Sequence, residues 1–177
     1  MFKDRIDNYK LLETKRDSKL LVYVTGDRPG LETQIHQEIL DYFINHLDIM
    51  NDCKKISLFL YTRGGNTLAA WSLVNLIRQF CDHFEVIIPL KAHSAGTLIS
   101  IGADSILMTK QATLGPIDPS LNTPLNPQIP GLPPTTTIPV SVEAINGFIA
   151  LAREELNIRG KNEFTSILNK LTDRIHP

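Results

Sequence analysis

The chain has 177 residues, of which 42% are hydrophobic and 21% charged, and its formal net charge is -1 at neutral pH. That length supports one domain, residues 1–177, with a core that needs neither disulfides nor metals. The ordinary composition is that of a soluble globular protein, and the near-neutral balance leaves no electrostatic footprint for nucleic acid or an anionic membrane.

Cys53 and Cys81 are the only cysteines and lack metal-ligand spacing, so they read as reduced, packed thiols. No metal or other cofactor is implied. The charged first residues carry no apolar signal segment, and no apolar run approaches the ~20 residues of a membrane helix. A cytoplasmic protein without a membrane-spanning segment is expected. The last residues, RIHP, form no polar tail, so continuation of the chain beyond them is also expected.

Along the chain, residues 1–19 contain KDRIDNYKLLETKRDSK, a mixed-charge stretch that reads as a solvated helix. LLVYVT, Leu20 to Thr25, is short, apolar and β-branched, and GDRPG stops it. ETQIHQEILDYFINHL then places Ile35, Ile39, Phe43 and Leu47 at four-residue spacing, which predicts one face of an amphipathic helix. KISLFLYT, Lys55 to Thr62, is a second buried strand ended by RGGN. Leu68, Trp71, Val74, Ile77 and Phe80 mark a helix over about 67–81. FEVIIPL is a third strand, followed by the turn HSAG, an apolar helix through Ala103 and the short strand SILMT.

Successive strand-turn-helix units predict parallel pairing through crossover helices, and near-continuous apolar strands predict a sheet covered on both faces. The expected class is α/β. From Pro116 to Pro139 the composition turns proline-rich, which forbids a helix and predicts a long surface loop or extended arm. Two helices are expected over 141–173. Ser141 caps the first, carrying Ile145, Phe148, Ile149, Ala152 and Leu156, and Asn162 caps the second, carrying Phe164, Ile167, Leu168 and Leu171.

Ligands of an open parallel sheet collect at the carboxyl ends of its strands, where TRGGN and HSAGT both lie. Paired glycines allow a sharp turn and exposed main-chain N–H groups. A serine opening a helix meets the positive end of the helix dipole, beside the Ala95 and Gly96 amides. Donors from Gly64 or Gly65 together with Ala95 form a candidate oxyanion hole, with Ser94 as candidate nucleophile for acyl transfer. The same serine is also among the best helix N-caps.

VTGDRPG, SLFLYTRGGNTLAAWSLVNLI and VIIPLKAHSAGTLISIGADSILMTKQATLGPIDPSL together resemble the Clp protease–crotonase superfamily, and within it the serine dehydrogenase proteinase family. The resemblance implies stacked ββα units, a homo-oligomer, and serine peptidase action on a peptide or protein substrate. It matches Ser94 to the nucleophile, Gly64 and Gly65 to the oxyanion glycines, and Ala95 to the second oxyanion amide. The base does not transfer. Where the Clp proteolytic subunit carries a histidine, this chain has Ile117 and Asp118, and no histidine lies between Ser94 and His176. The signal-peptide-peptidase-like branch uses a lysine, and the lysine between Ser94 and the C-terminal helices is Lys110. Candidates for the base are therefore His93, Lys110, Asp118 and His176, with Lys91 and Lys161 behind them, since serine needs a base within hydrogen-bond reach. Two other readings stand beside the peptidase: a crotonase-like acyl-thioester enzyme using the same hole, and an inactive or partner-dependent oligomeric scaffold.

Overall fold

The apolar runs become four parallel strands, and the polar-apolar segments between them become the helices that cover the sheet. In this computed structural model the residues described are 2–51, 53–118, 120–121, 126–129, 131, 133, 136 and 138–172, and the chain divides into two compact units, 1–117 and 118–177.

In the first unit the order is α1 (Phe2–Arg16), β1 (Lys19–Val24), α2 (Ile39–Met50), β2 (Cys53–Tyr61), α3 (Thr67–Ile77), β3 (Cys81–Ile88), β4 (Lys91–Ala92), α4 (Ala95–Ile101), β5 (Ser105–Met108) and β6 (Thr113–Leu114). The main sheet runs β1-β2-β3-β5, with Leu21 opposite Leu58, Leu58 opposite Val86 and Val86 opposite Ile106, all parallel. The fold is thus α/β with a parallel sheet flanked by helices, as the strand-helix alternation predicts.

Ile56, Leu58, Leu60, Phe84, Val86 and Ile88 of the two central strands are completely buried, and α2 packs Phe43 and Leu47 into the same core. The core-facing side of α3 is not the stripe of large residues expected from the sequence. Ala69, Ala70, Leu73, Val74 and Ile77 are buried, whereas Leu68 and Trp71 are 72% and 62% exposed. Small alanines let the helix approach the core closely, and a pattern weighted towards large side chains overlooks them.

The predicted long helix after β1 also divides. α2 begins at Ile39, and Ile35 lies ahead of it in extended chain, paired in parallel with Gly65. A groove of about 410 Å³ between β1 and α2 is lined by Leu20, Val22, Tyr23, Ile39, Phe43 and Met50.

One charged cluster is buried under the sheet. Glu85 of β3, 1% exposed, accepts hydrogen bonds from Arg16 Nε at 3.0 Å, Lys55 Nζ at 2.9 Å and Ser57 Oγ at 2.9 Å, and it also pairs with the second guanidinium nitrogen of Arg16. Ser18 extends the chain by a 2.7 Å bond to Ser57. Burial pushes the Glu85 carboxyl up, but the hydrogen bonds from Arg16, Lys55 and Ser57 outweigh it and hold its pKa at about 2.

The second unit contains β7 (Ser120–Leu121), β8 (Val140–Ser141), α5 (Val142–Ala150), a π-helical turn (Leu151–Glu155) and α6 (Lys161–Thr172). β7 and β8 pair antiparallel, so the two ends of the proline-rich segment meet. Ser141 caps α5 by accepting from Ala144 N at 3.0 Å, as expected. Asn162 does not cap the last helix. It lies inside α6, where its carbonyl accepts from Ser166 Oγ, and Phe164 N reaches back to Gly160 O at 2.9 Å. No helix among the described residues is long and apolar enough to cross a membrane.

Candidate active site

Beyond the end of β2 the chain pairs twice more, and these two contacts build the site. Thr62 pairs in parallel with Ala92 of β4, through Thr62 N to Lys91 O and His93 N to Thr62 O, both 3.1 Å. Gly65 pairs with Ile35, through Ile35 N to Gly64 O at 2.9 Å and Asn66 N to Ile35 O at 2.8 Å. The turns TRGGN and HSAGT therefore sit against one another.

Both glycines are required there. Gly64 has φ +113°, and a Cβ on it would fall 2.7 Å from Ser94 Cβ and 2.8 Å from His93 O. Gly65 has φ +144°, and a Cβ on it would strike the Ile35 backbone. No L side chain fits either position.

Ser94 is held at φ +51°, ψ -117°, with Gly96 N donating to His93 O at 2.9 Å across it. That is the first central position of a type II′ turn, where glycine is the ordinary occupant. Keeping a serine there costs about 1–3 kcal/mol. The hydroxyl does not cap α4, and it has no hydrogen-bond partner among the described residues. True caps are visible elsewhere in the chain: Asn66 accepts from Ala69 N at 2.8 Å to start α3. The capping reading of Ser94 is therefore set aside. If the turn is strained as described, Ser94→Gly is more stable than Ser94→Ala by about 1 kcal/mol in urea unfolding. Equal stabilities would mean that the turn carries no strain.

The hydrogen bonds sort the candidate oxyanion donors. Gly64 N–H is taken by Thr62 Oγ1 at 3.0 Å, and Gly96 N–H by His93 O. Gly65 N–H and Ala95 N–H make no hydrogen bond among the described residues.

The base candidates differ in the partners they already hold. His93 Nε2 is hydrogen-bonded to Thr113 Oγ1 at 2.9 Å, and its ring lies so close to Gly115 that a Cβ there would be 3.0 Å from it. Lys91 is bound to Asp27 Oδ2 at 2.6 Å, and Tyr61 donates to the same oxygen at 2.5 Å. The bond to Asp27, then that to Tyr61, raises the Lys91 pKa, while the bonds from Lys91 and Tyr61 lower that of Asp27. A lysine so held is a poorer base. Lys110 is exposed, in the turn after β5. Asp118 opens the second unit, and its buried Oδ1 has no partner among the described residues. Lys161 begins α6, and His176 lies outside the described residues. Among the described residues no three His, Cys, Asp or Glu side chains gather as a metal site.

Two threonines unremarked in the sequence tie the turns in place. Thr62 is completely buried and accepts from Thr25 Oγ1 at 2.9 Å as well as from Gly64 N. Thr97, in the first turn of α4, has its hydroxyl 2.9 Å from Ala92 O and 2.7 Å from Gly115 O, and accepts from Gly115 N at 3.1 Å. The available signal was that LLVYVT and KISLFLYT, neighbouring strands, both end in threonine.

The family model described as ClpP-like SDH-type serine proteinase matches residues 38–131, more than half of the chain and both turns of the site. The chain belongs to this family. Among similar curated proteins are two from Methanocaldococcus jannaschii. Uncharacterized protein MJ0137 is 43% identical over 68 residues, covering 38% of this chain and 24% of the relative. Uncharacterized protein MJ1495 is 39% identical over 66 residues, covering 37% and 23%. The chain thus spans about a quarter of the length of these curated relatives. A solved structure of a ClpP1 mutant from Listeria monocytogenes superposes with a TM-score of 0.38 at 24% identity, over 52% of this chain and 51% of that one. For this member of the ClpP-like family, the matched span contains Gly64, Gly65, Ser94 and Ala95 together.

Proposed function

We propose that the protein is a serine peptidase that cleaves an extended peptide or protein substrate with Ser94 as nucleophile. The observation that carries this is the conformation of Ser94, a serine kept where glycine belongs, uncapped and against Gly64. Membership of a serine proteinase family supports it.

In the proposed reaction Ser94 Oγ adds to the scissile carbonyl while a base removes its proton. The oxyanion is held by Gly65 N–H and Ala95 N–H, amides that have no other acceptor among the described residues. The intermediate collapses with cleavage of the C–N bond, the amine leaves with the proton, and water then hydrolyses the acyl-enzyme. Lys110, Asp118 and His176 remain the base candidates, with His93 the weaker for its bond to Thr113. A homo-oligomer is part of the proposal, because a base brought by assembly is compatible with the unpartnered Ser94 hydroxyl. That same hydroxyl favours, as the second reading, a scaffold without peptidase activity.

The test is a fluorophosphonate probe on the full chain, with adducts located by mass spectrometry. An adduct on Ser94 that disappears in Ser94→Ala is expected. No adduct on folded, assembled protein would transfer the assignment to the scaffold.

A further inference from the structure

The sequence leaves open which of the two glycine amides faces an oxyanion, and the structure contains a device that decides it. We infer that Thr62 is a positioning residue: its hydroxyl oxygen engages the Gly64 amide and thereby sets Gly65 N–H, beside Ala95 N–H, as the donor pair. The inference rests on the peptidase reading for its consequence in catalysis, and on hydrogen bonding alone for the device itself.

Four observations support it. Thr62 is completely buried, so its hydroxyl is not exchanging partners with bulk water. Its oxygen accepts from Gly64 N at 3.0 Å and from Thr25 Oγ1 at 2.9 Å, the second bond orienting the lone pairs for the first. Thr25 is itself buried and is anchored by its own amide on Tyr61 O at 2.9 Å. The Thr62 backbone is pinned on its other side to Lys91 and His93, the residues that lead into Ser94. One residue thus joins the β1 end, the glycine turn and the nucleophile turn. A short amide-to-hydroxyl bond two residues on is a common way to fix a turn. Here it fixes Gly64 at φ +113°, a value the glycine has no steric reason to keep by itself.

The decisive variants are Thr62→Val, which keeps the shape and removes the acceptor, and Thr62→Ser, which keeps the acceptor. Thr62→Ala serves where the second valine methyl does not pack. Two readouts are taken on the full chain: hydrogen exchange of the Gly64 amide, by NMR with isotope-labelled glycine, and the second-order rate of Ser94 labelling by a fluorophosphonate. In wild type the Gly64 amide is protected. In Thr62→Val it loses protection and labelling slows about a hundredfold, the scale of a lost oxyanion donor. Thr62→Ser recovers both. Labelling of Thr62→Val at the wild-type rate, or Gly64 exchange that ignores the substitution, overturns this inference and leaves the peptidase reading standing. A wild-type protein that takes no label overturns both, and the exchange readout then shows whether the hydrogen bond survives as mere scaffolding.

Discussion

Gly64→Ala cuts fluorophosphonate labelling of Ser94 by about a hundredfold or more and lowers the unfolding free energy by about 3 kcal/mol. The two effects share one cause. The added Cβ would lie 2.7 Å from Ser94 Cβ and 2.8 Å from His93 O, contacts made with backbone or with the first side-chain atom, which cannot swing aside. It would also have to adopt φ +113°, a region that L side chains avoid. Relief requires the TRGGN turn to move away from HSAGT, and the separation disturbs both candidate oxyanion donors and the proposed nucleophile, Ser94. Gly30→Ala is the control. Gly30 has φ +76° with nothing within 4 Å of a built Cβ, so it reports backbone strain alone, about 1 kcal/mol, with labelling unchanged. Parallel measurement of labelling and urea unfolding separates collision from strain. If Gly64→Ala behaves like Gly30→Ala, the close contact of the two turns does not exist in solution.

Glu85→Gln is expected to remove on the order of 3 kcal/mol of stability at pH 7, with the loss vanishing towards pH 2. The carboxyl has a folded pKa of about 2 against an ordinary value of 4.5. A depressed carboxyl contributes its full stabilisation above its unfolded pKa and loses it as pH falls through the folded one. The window is therefore about pH 4.5 to 2. Glutamine keeps the shape but leaves the Arg16 and Lys55 charges unneutralised under the sheet, with side chains only 33% and 19% exposed. Urea midpoints of wild type and variant across pH 7, 4.5 and 2.5 test this, and a constant gap between the two would show that the Glu85 charge is not what stabilises the cluster. The cluster fastens α1 to β2 and β3; TRGGN follows β2 directly, and HSAGT follows β3 by way of β4.

The strands were legible because central parallel strands demand unbroken apolar runs, and LLVYVT and KISLFLYT lie within two residues of the observed β1 and β2, while FEVIIPL starts three residues inside β3 and ends two beyond it. Their ends were less so. Ile35 completes a four-residue spacing with Ile39, Phe43 and Leu47, yet it is buried as extended chain against Gly65. Spacing records that a side chain is buried, and it cannot tell a helical turn from a partner 30 residues away. The same limit explains α3, whose alanines face inward while Leu68 and Trp71 face out.

By itself the sequence determined the class of fold and the chemical types at the site: a serine opening a helix, two glycines ending a strand, a family pattern holding them in order. Those are local facts, set by backbone preferences and apolar runs. Only the tertiary structure decided that Ser94 is a strained turn residue and not a cap, that Gly64 N–H is taken while the Gly65 and Ala95 amides stay open among the described residues, and that Lys91 and His93 already hold other partners. The Lys91 and His93 bonds join residues 64 and 20 positions apart, the Gly64 bond spans two positions but is oriented by Thr25, 37 positions from Thr62, and the Ser94 φ angle is imposed by packing. Such bonds have no period and no local signature, so they become visible only when the chain has closed around them.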